Sequence, residues 1–226
     1  SLPVKGFKKI FSYLPPTLFE KFLHHSLLTS EYKEISHLNV FQTREDLWKN
    51  IIDKYNNEKI NFLEFGVYEG YSIKTFSELN TNPDSSFVGF DSFVGLPTFW
   101  NYRYPKGSIS AGGLIPKLDD ERIDFEKGWF QNTLPKFIQK KQISDNLIVH
   151  YDADLYSSTL FTLICLDSLK KSYYAIFDEI LGEETRAIYN YQQISGAKIE
   201  FIGKTVTNGY PEAVSCKIIP CENYEV

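Results

Sequence analysis

The sequence predicts an α/β fold: a Rossmann-like, doubly wound, mostly parallel sheet of seven strands, with an antiparallel edge strand and helices on both faces. Three observations lead to this prediction. Short apolar runs alternate with helical patterns along most of the 226 residues, as in sheets built from crossover units. The runs are almost continuously apolar, which is typical of strands buried on both faces. The last two runs lie too close together for a helical crossover, so we expect an antiparallel pair at one edge.

The elements follow one another in a regular order. Segment 43–56 places Leu47, Ile51 and Tyr55 at helical spacing behind Thr43, a suitable N-cap with Asp46 three residues later. The other helices follow from the same periodicity, and the strands are short apolar runs that end at glycine or polar residues. We expect strands at 59–66, 85–91, 122–128, 146–152, 173–180, 197–203 and 213–219. We expect helices at 43–56, 71–80, 135–142, 159–171 and 183–195.

Two segments fall outside this alternation. Residues 1–58 read as an N-terminal helical segment that serves as a lid or an oligomer contact, and residues 59–226 form the main domain. The N-terminal stretch mixes lysines with apolar side chains, but Pro15 and Pro16 interrupt it, so a packed or interface helix is favoured over a membrane-surface helix. Residues 92–121 form one long irregular stretch, and loops of that length inside a domain are typically functional lids.

Composition excludes several classes of function. The net charge of −5 provides no broad basic field for a nucleic-acid backbone. No run approaches the roughly 18 apolar residues that a membrane span needs. The three cysteines, Cys165, Cys216 and Cys221, show no zinc-binding spacing, and their low, odd number suits a reducing compartment. We therefore expect a cytoplasmic protein that neither binds nucleic acid nor spans a membrane.

A candidate cofactor site follows the first two strands of the main domain. Glu64, Gly66 and Gly70 form a glycine turn ahead of a helix, where the backbone can approach a ligand closely. Asp91 ends the next strand, 21 residues after Gly70, at the place where an acidic residue binds ribose hydroxyls in nucleotide-like cofactors. The glycine spacing differs from GxGxxG and disfavours a dinucleotide. S-adenosylmethionine, which carries adenosine but no phosphate, fits better.

A second site is expected after the fourth and fifth strands. Asp152 and Asp154 follow one strand, and Asp178 and Glu179 follow the other. Neighbouring parallel strands lie about 4.8 Å apart, so these carboxylates would meet at one edge and raise one another's pKa values. A divalent cation such as Mg²⁺ would relieve that repulsion. We therefore expect Asp152, Asp178 and Glu179 to bind a metal, the alternative being pairing with lysines or helix capping.

Four motifs in this order resemble the macrocin O-methyltransferase (TylF-like) family of class I S-adenosylmethionine-dependent methyltransferases: "FLEFGVYEGYS", "FDSFVGLP", "KGWFQNTLP" and "HYDADLYSST". They span residues 62–159. The resemblance implies methylation of a hydroxyl on a sugar or glycosylated small molecule, with help from a divalent metal. The cofactor-binding residues that it implies, including those already singled out, are Glu64, Gly66, Val67, Tyr68, Gly70, Ser72, Asp91, Ser92, Gly128, Trp129, Phe130, Thr133 and Asp152.

The chain departs from the family pattern in two places. Glu179 stands where an aspartate is frequent, and Asn132 stands where an acid is common. Asp152 and Asp154 are both candidate catalytic residues. We favour Asp152 as metal ligand and candidate base, with Asp154 either supporting it or contacting the substrate, and the spacing does not decide between the two as base. His150 is more consistent with a core position than with a base.

Two other functions remain open at this point. "DAD" between apolar flanks is also the metal-binding signature of glycosyltransferases that use nucleotide sugars. That reading leaves Asp178 and Glu179 without a role. The other alternative is a protein that binds S-adenosylmethionine without catalysis. In the lid, four aromatic residues could stack on a sugar or simply pack as a hinge or subunit interface: Phe99, Trp100, Tyr102 and Tyr104. Arg103 and Lys106 could contact a phosphate of the acceptor.

Overall fold

A computed structural model describes Phe22 and residues 25–221 of the chain. The eight strands in this part of the chain belong to one sheet. They are β1 (Asn39–Phe41), β2 (Asn61–Phe65), β3 (Ser86–Asp91), β4 (Ile123–Lys127), β5 (Leu147–Tyr151), β6 (Tyr173–Phe177), β7 (Lys198–Thr207) and β8 (Tyr210–Ile219). The α-helices that follow Phe41 are α1 (Arg44–Ile52), α2 (Tyr71–Leu79), α3 (Phe130–Lys140), α4 (Tyr156–Asp167) and α5 (Glu183–Ser195).

The predicted fold class is confirmed. The strand order is β1-β7-β8-β6-β5-β2-β3-β4. Strand β8 runs antiparallel to both β6 and β7, and the other pairings are parallel. The seven predicted strands are all present among the described residues, and β1 is an eighth, unpredicted strand. It pairs with β7 at the edge of the sheet, so the antiparallel strand β8 lies between β6 and β7.

Each strand of the sheet centre is buried on both faces. Along β2, Phe62 points into one apolar cluster, where it packs against Phe76 of α2 with ring centroids 4.2 Å apart. The next residue, Leu63, points into the other cluster, which receives Leu134 of α3 and Leu163 of α4. Side chains alternate between faces along a strand, so near-continuous apolar runs supply both layers at once.

The strand register brings the functional edge together. Phe65 at the end of β2 pairs with Phe90 on one side and with Tyr151 on the other, and Tyr151 pairs with Phe177 of β6. The carboxyl ends of these four parallel strands are therefore level with one another. The residues that follow them must meet at one place, as ligand sites in open α/β sheets do.

The N-terminal part of the chain packs on the same core. Tyr32 and Ile35 are buried, and the Lys204 ammonium of β7 donates to the carbonyls of Ile35 and Ser36 at 2.8 Å. Residues 1–21, 23 and 24, which include part of the predicted N-terminal segment, lie outside the described residues. The domain division at residue 58 and the oligomer contact stay predictions. In the described part of the chain, no helix is both long and apolar enough to cross a membrane.

The irregular stretch 92–121 is an ordered loop that folds back on itself. The Leu96 amide donates to the Ser108 carbonyl and the Gly107 amide donates to the Leu96 carbonyl, both at 2.9 Å. At its tip the rings of Trp100 and Tyr104 stack with centroids 5.0 Å apart. The base of this loop lies against the carboxyl edge of the sheet. Its function as a lid stays a prediction.

The start of α1 is fixed by a capping box. The Asp46 amide donates to the Thr43 hydroxyl at 3.1 Å, and the Thr43 amide donates to the Asp46 carboxylate at 3.2 Å. We expect Thr43→Ala to lower the free energy of unfolding by about 1 kcal/mol, because it leaves a helix amide unsatisfied. Urea denaturation of the variant checks this. Thr75→Ala, in the middle of α2, is the control and should change the stability much less.

Candidate functional site

A cavity of about 380 Å³ opens at the carboxyl edge of the sheet, within the size range of small-molecule sites. Residues that follow β2, β3, β4 and β5 line it, together with the base of the irregular loop. The lining residues are Gly66, Val67, Tyr68, Asp91, Ser92, Gly95, Leu96, Pro97, Ile109, Gly128, Trp129, Phe130, Gln131, Asp152, Ala153, Asp154 and Ser158.

Gly66 allows the chain to turn sharply after β2. Its φ is +95°, a conformation that side chains with a Cβ rarely adopt. A Cβ atom built there would lie 1.9 Å from the Asp152 carbonyl oxygen and 2.7 Å from its carbon. The backbones that follow β2 and β5 are therefore in direct contact, and glycine is required at this position.

The Asp91 carboxylate holds the loops around the cavity. Its Oδ2 accepts from the Val67 and Tyr68 amides at 2.9 Å, and its Oδ1 accepts from the Phe93 amide at 2.8 Å. A carboxylate has about four acceptor sites, so one remains for a ligand. Asp91 can thus shape the glycine turn and still accept a hydroxyl.

Asp152 and Asp154 follow β5, and both side chains are largely removed from water. Burial, followed by the nearby Asp178 carboxylate, raises the pKa of Asp152 to about 7. Burial, followed by Asp152, raises the pKa of Asp154 to about 8. The cationic groups of His150 and Arg44 oppose the shift of Asp152, whereas the largest charge effects on Asp154 all come from carboxylates. Asp154 therefore holds its proton more strongly than Asp152 near neutral pH.

A row of buried polar side chains, Glu64, His150 and Asp178, lies beneath the cavity. His150 is fully buried, as expected for a core histidine, and its Nδ1 lies 2.9 Å from the Glu64 carboxylate. Its Nε2 lies 3.9 Å from Asp178 Oδ1. Burial lowers the pKa of His150, but the Asp178 and Glu64 carboxylates outweigh burial and raise it to about 10. The imidazole is therefore protonated at neutral pH and sits between two acids.

Arg44, the first residue of α1, extends this row of polar side chains. Its guanidinium Nη1 lies 2.5 Å from Asp178 Oδ2. Burial raises the pKa of the Asp178 carboxyl, but His150 and Arg44 outweigh burial, and the pKa is lowered overall. Asp178 is thus ionised and has a cationic group near each of its oxygens. Glu179, the next residue, has its pKa raised by burial and by Asp178.

The structure brings most of the predicted site residues to one place. The predicted residues that line the cavity are Gly66, Val67, Tyr68, Asp91, Ser92, Gly128, Trp129, Phe130, Asp152 and Asp154. The predicted residues outside its lining are Glu64, Gly70, Ser72, Thr133, Asp178 and Glu179. The Glu64 side chain instead points to His150 in the row of buried polar side chains. Gly70 lies against the irregular loop, where a Cβ atom built on it would be 3.1 Å from Cγ of Pro116.

Some residues of the site were not predicted. Gly95, Leu96, Pro97 and Ile109 enter from the irregular loop, whose path has no periodicity that sequence reasoning can follow. Gln131, Ala153 and Ser158 flank predicted residues and could have been included as neighbours of the motifs. Arg44 lies 134 positions from Asp178, and no motif connects the two.

The chain is similar to known methyltransferases. The model of the Macrocin-O-methyltransferase (TylF) family matches residues 116–203, which confirms the family resemblance carried by the sequence motifs. No curated protein sequence matches the chain.

Solved structures show the same fold. The O-methyltransferase NovP has a TM-score of 0.56 at 21% identity, covering 76% of this chain and 78% of that one. The calicheamicin methyltransferase CalS11 has a TM-score of 0.55 at 17% identity, covering 93% and 95%. An O-methyltransferase from Bacillus cereus, solved in complex with SAH, has a TM-score of 0.53 at 13% identity, covering 94% and 96%. At these identities the similarity establishes the class I methyltransferase fold.

Proposed function

We propose that this chain, an S-adenosylmethionine-dependent O-methyltransferase of the TylF type, methylates a hydroxyl group of a sugar or of a glycosylated small molecule. The observation that carries the proposal is the cavity itself. It joins the glycine turn, the Asp91 carboxylate and the Asp152 and Asp154 carboxyl groups at one sheet edge. The reaction would take place in the cytoplasm, which suits the low cysteine content.

The cavity fits S-adenosylmethionine in shape and in charge. The turn at Gly66 places the backbone of Val67 and Tyr68 on the wall of the cavity, and the free acceptor site of Asp91 suits a ribose hydroxyl. Trp129 and Phe130 provide aromatic surface that suits the adenine. Carboxyl groups along one wall favour a ligand with a positive charge. When bound there, S-adenosylmethionine supplies an electrophilic methyl group on a sulfonium.

We propose Asp154 as the base. Methyl transfer to an alcohol requires that the hydroxyl lose its proton, and a base works best when its pKa lies near the working pH. The Asp154 carboxyl group lines the cavity and has a pKa of about 8. Asp152 also lines the cavity and has a pKa of about 7, but the cationic groups of His150 and Arg44 stabilise its ionised form, whereas the largest charge effects on Asp154 come from carboxylates. We therefore assign proton acceptance to the Asp154 carboxylate, the more basic of the two, and a positioning role in the wall of the site to Asp152.

The exposed aromatic side chains of the irregular loop favour a sugar as the acceptor. At the tip of the irregular loop, the Tyr102 side chain is 81% exposed and Phe99 is 55% exposed. Aromatic faces pack well on the C–H face of a sugar ring and leave its hydroxyls free for hydrogen bonds. Trp100 and Tyr104 stack on each other, so they support the tip and leave contact with the acceptor to Tyr102 and Phe99.

The predicted magnesium ligands do not fit a divalent cation as the structure places them. Among the described residues, no group of three or more His, Cys, Asp or Glu side chains is arranged to hold a metal ion. Asp178, one of the predicted ligands, is ion-paired with Arg44. We therefore derive no step through a metal. Self-association through the N-terminal segment also stays a prediction.

Calorimetric titration with S-adenosylhomocysteine tests the proposal, with a UDP-sugar as the control ligand. We expect micromolar binding of S-adenosylhomocysteine and none of the UDP-sugar. A screen of sugar nucleotides and glycosides for methyl acceptance then identifies the acceptor. Binding of the UDP-sugar alone would indicate a glycosyltransferase. Binding of S-adenosylhomocysteine without transfer to any acceptor would indicate a non-catalytic protein.

Substitution of Asp91 should weaken cofactor binding strongly. Asp91→Ala leaves the amides of Val67, Tyr68 and Phe93 without their acceptor and removes the ribose contact. We expect the Kd of S-adenosylhomocysteine to rise at least tenfold, as measured by calorimetry. Asp84→Asn, in the exposed loop before the same strand, is the matched control. Unchanged affinity in Asp91→Ala would remove Asp91 from the proposed site.

A further inference from the structure

The carboxylate cluster at the edge of the sheet consists of Asp152, Asp178 and Glu179. A positively charged side chain of the same protein, Arg44, contacts it. Arg44 Nη1 lies 2.5 Å from Asp178 Oδ2, and the Asp178 side chain is only 8% exposed. Arginine remains charged at every pH at which proteins are folded. A divalent cation such as Mg²⁺ would have to approach a carboxylate oxygen to about 2.1 Å. The guanidinium already occupies the space in front of that oxygen.

The start of α1, from which the Arg44 side chain extends, is held in place by contacts other than the ion pair. The Thr43–Asp46 capping box sets the first turn of α1. The Tyr71 hydroxyl donates to the neighbouring Glu45 carboxylate at 2.7 Å. One turn further on, Trp48 packs edge-to-face on His150, with ring centroids 5.5 Å apart. These contacts hold the start of α1 over the ends of β5 and β6.

The other oxygen of Asp178 also faces a nitrogen of the chain. Asp178 Oδ1 lies 3.9 Å from His150 Nε2, and His150 is held in turn by Glu64. Both sides of the Asp178 carboxylate are therefore opposite basic side chains. An isolated surface ion pair contributes little to stability, but in this pair the acid is buried, and the arginine, whose side chain is 45% exposed, extends from the first turn of a capped helix.

We propose that Arg44 takes the place of the divalent cation at this carboxylate cluster, so that methyl transfer in this protein proceeds without a metal. The inference rests on the proposed function for its activity readout, but not for its binding readout. Arg44 is a positioning residue: it fixes Asp178, and through Asp178 it sets the wall that carries Asp152. Removal of the guanidinium frees the Asp178 side chain to rotate, so that it can join Asp152 and Glu179 in an arrangement that the described part of the wild-type structure lacks and bind a divalent cation.

The first test is metal binding, which needs no acceptor. Mn²⁺ titration followed by electron paramagnetic resonance should give no binding to the wild-type protein at submillimolar concentrations. Arg44→Ala should bind Mn²⁺ at micromolar concentrations. Lys49→Ala is the matched control, because it removes an exposed cation from the same helix and should bind no Mn²⁺. Micromolar binding by the wild-type protein would overturn the proposal, whatever the methyltransferase activity proves to be.

The second test is the response of methyl transfer to metal. Wild-type turnover in EDTA should stay within twofold of turnover in Mg²⁺. Arg44→Ala should lose at least tenfold in EDTA and recover when Mg²⁺ or Mn²⁺ is added. Arg44→Lys keeps the charge without the planar fork and should lose less in EDTA, and thermal unfolding with S-adenosylhomocysteine identifies any variant that fails to fold. A folded Arg44→Ala that neither loses turnover nor binds Mn²⁺ would overturn the proposal.

Discussion

Asp154→Asn is expected to lower kcat by about 10²- to 10⁴-fold, the usual contribution of a general base. The asparagine keeps the size of the side chain and tolerates the φ of +60° that residue 154 adopts. Only the capacity to accept a proton is lost, so the Kd of S-adenosylhomocysteine should be nearly unchanged. Steady-state kinetics with the acceptor, beside calorimetry, measures both quantities.

The pH dependence of kcat/KM also tests whether Asp154 is the base. A base must be deprotonated, so wild-type kcat/KM should rise with pH and level off above about 8, where the Asp154 carboxyl group loses its proton. The positive sulfonium of the bound cofactor favours the ionised carboxylate, so the corresponding rise in kcat should lie at lower pH. The residual activity of Asp154→Asn should lack this rise.

Stability should change in the opposite direction. The folded-state pKa of Asp154 lies far above its ordinary value, so between pH 4 and pH 8 the folded protein holds a proton that the unfolded chain has released. The free energy of unfolding therefore falls as pH rises through this range. We expect Asp154→Asn to gain stability relative to the wild type from pH 4 to pH 8, as measured by urea denaturation at each pH.

Two controls complete the experiment on Asp154. Asp119→Asn, in the irregular loop and exposed to solvent, should leave kcat unchanged. Asp152→Asn should also reduce kcat, but without removing the rise of activity near pH 8. The opposite result, with the pH rise lost in Asp152→Asn and kept in Asp154→Asn, would assign the base to Asp152.

Gly66→Ala is expected to abolish cofactor binding and to destabilise the protein severely. The new Cβ would lie 1.9 Å from the Asp152 carbonyl oxygen, a distance that two nonbonded atoms cannot adopt. The turn after β2 or the segment after β5 must then move, and both line the cavity. We expect no measurable binding of S-adenosylhomocysteine and a fall of several degrees or more in Tm.

The control for Gly66→Ala separates strain from collision. Gly209, in the hairpin between β7 and β8, also has a positive φ of +82°, but a built Cβ there meets no atom within 4 Å. Gly209→Ala should therefore cost only about 1 kcal/mol from backbone strain and leave binding unaffected. If Gly66→Ala and Gly209→Ala lower the free energy of unfolding by the same amount, the contact with Asp152 is not what requires glycine at position 66.

Much of the fold could be predicted because the strands of the sheet centre are unusually apolar. Runs such as 146–152 had to be buried on both faces, and their spacing required crossover helices. Strand β1 has only three residues, Asn39–Phe41, with no alternation or apolar run to identify it. Its existence depends on pairing with β7, and a contact between such distant segments leaves no local pattern.

The candidate site was predictable to the extent that it follows strand ends. Asp91 and Asp152 lie at the carboxyl ends of strands that a parallel sheet brings together. The strand pattern alone therefore predicts that the two residues lie at the same edge. The environment of each acid was not predictable in the same way. Carboxylates that converge suggested a metal, yet the structure places Arg44 against Asp178. The position of that side chain depends on the start of α1, where the sequence predicts a capped helix but carries no pattern that connects it to the strand ends.

The order of strands also has a consequence for how the protein is made. Strands β1 and β7 reach the rest of the sheet only through β8, which comes after all the other strands in the chain. Residues 39–41 are therefore synthesised long before residues 210–219, which connect β1 and β7 to the other strands. The sheet can be completed only after β8 has been synthesised, whereas β2, β3 and β5, which carry the cofactor turn and its neighbours, pair with one another without β8. Pairings between such distant segments form slowly, so we expect a chain that lacks residues 210–219 to leave β1 and β7 without their place in the sheet.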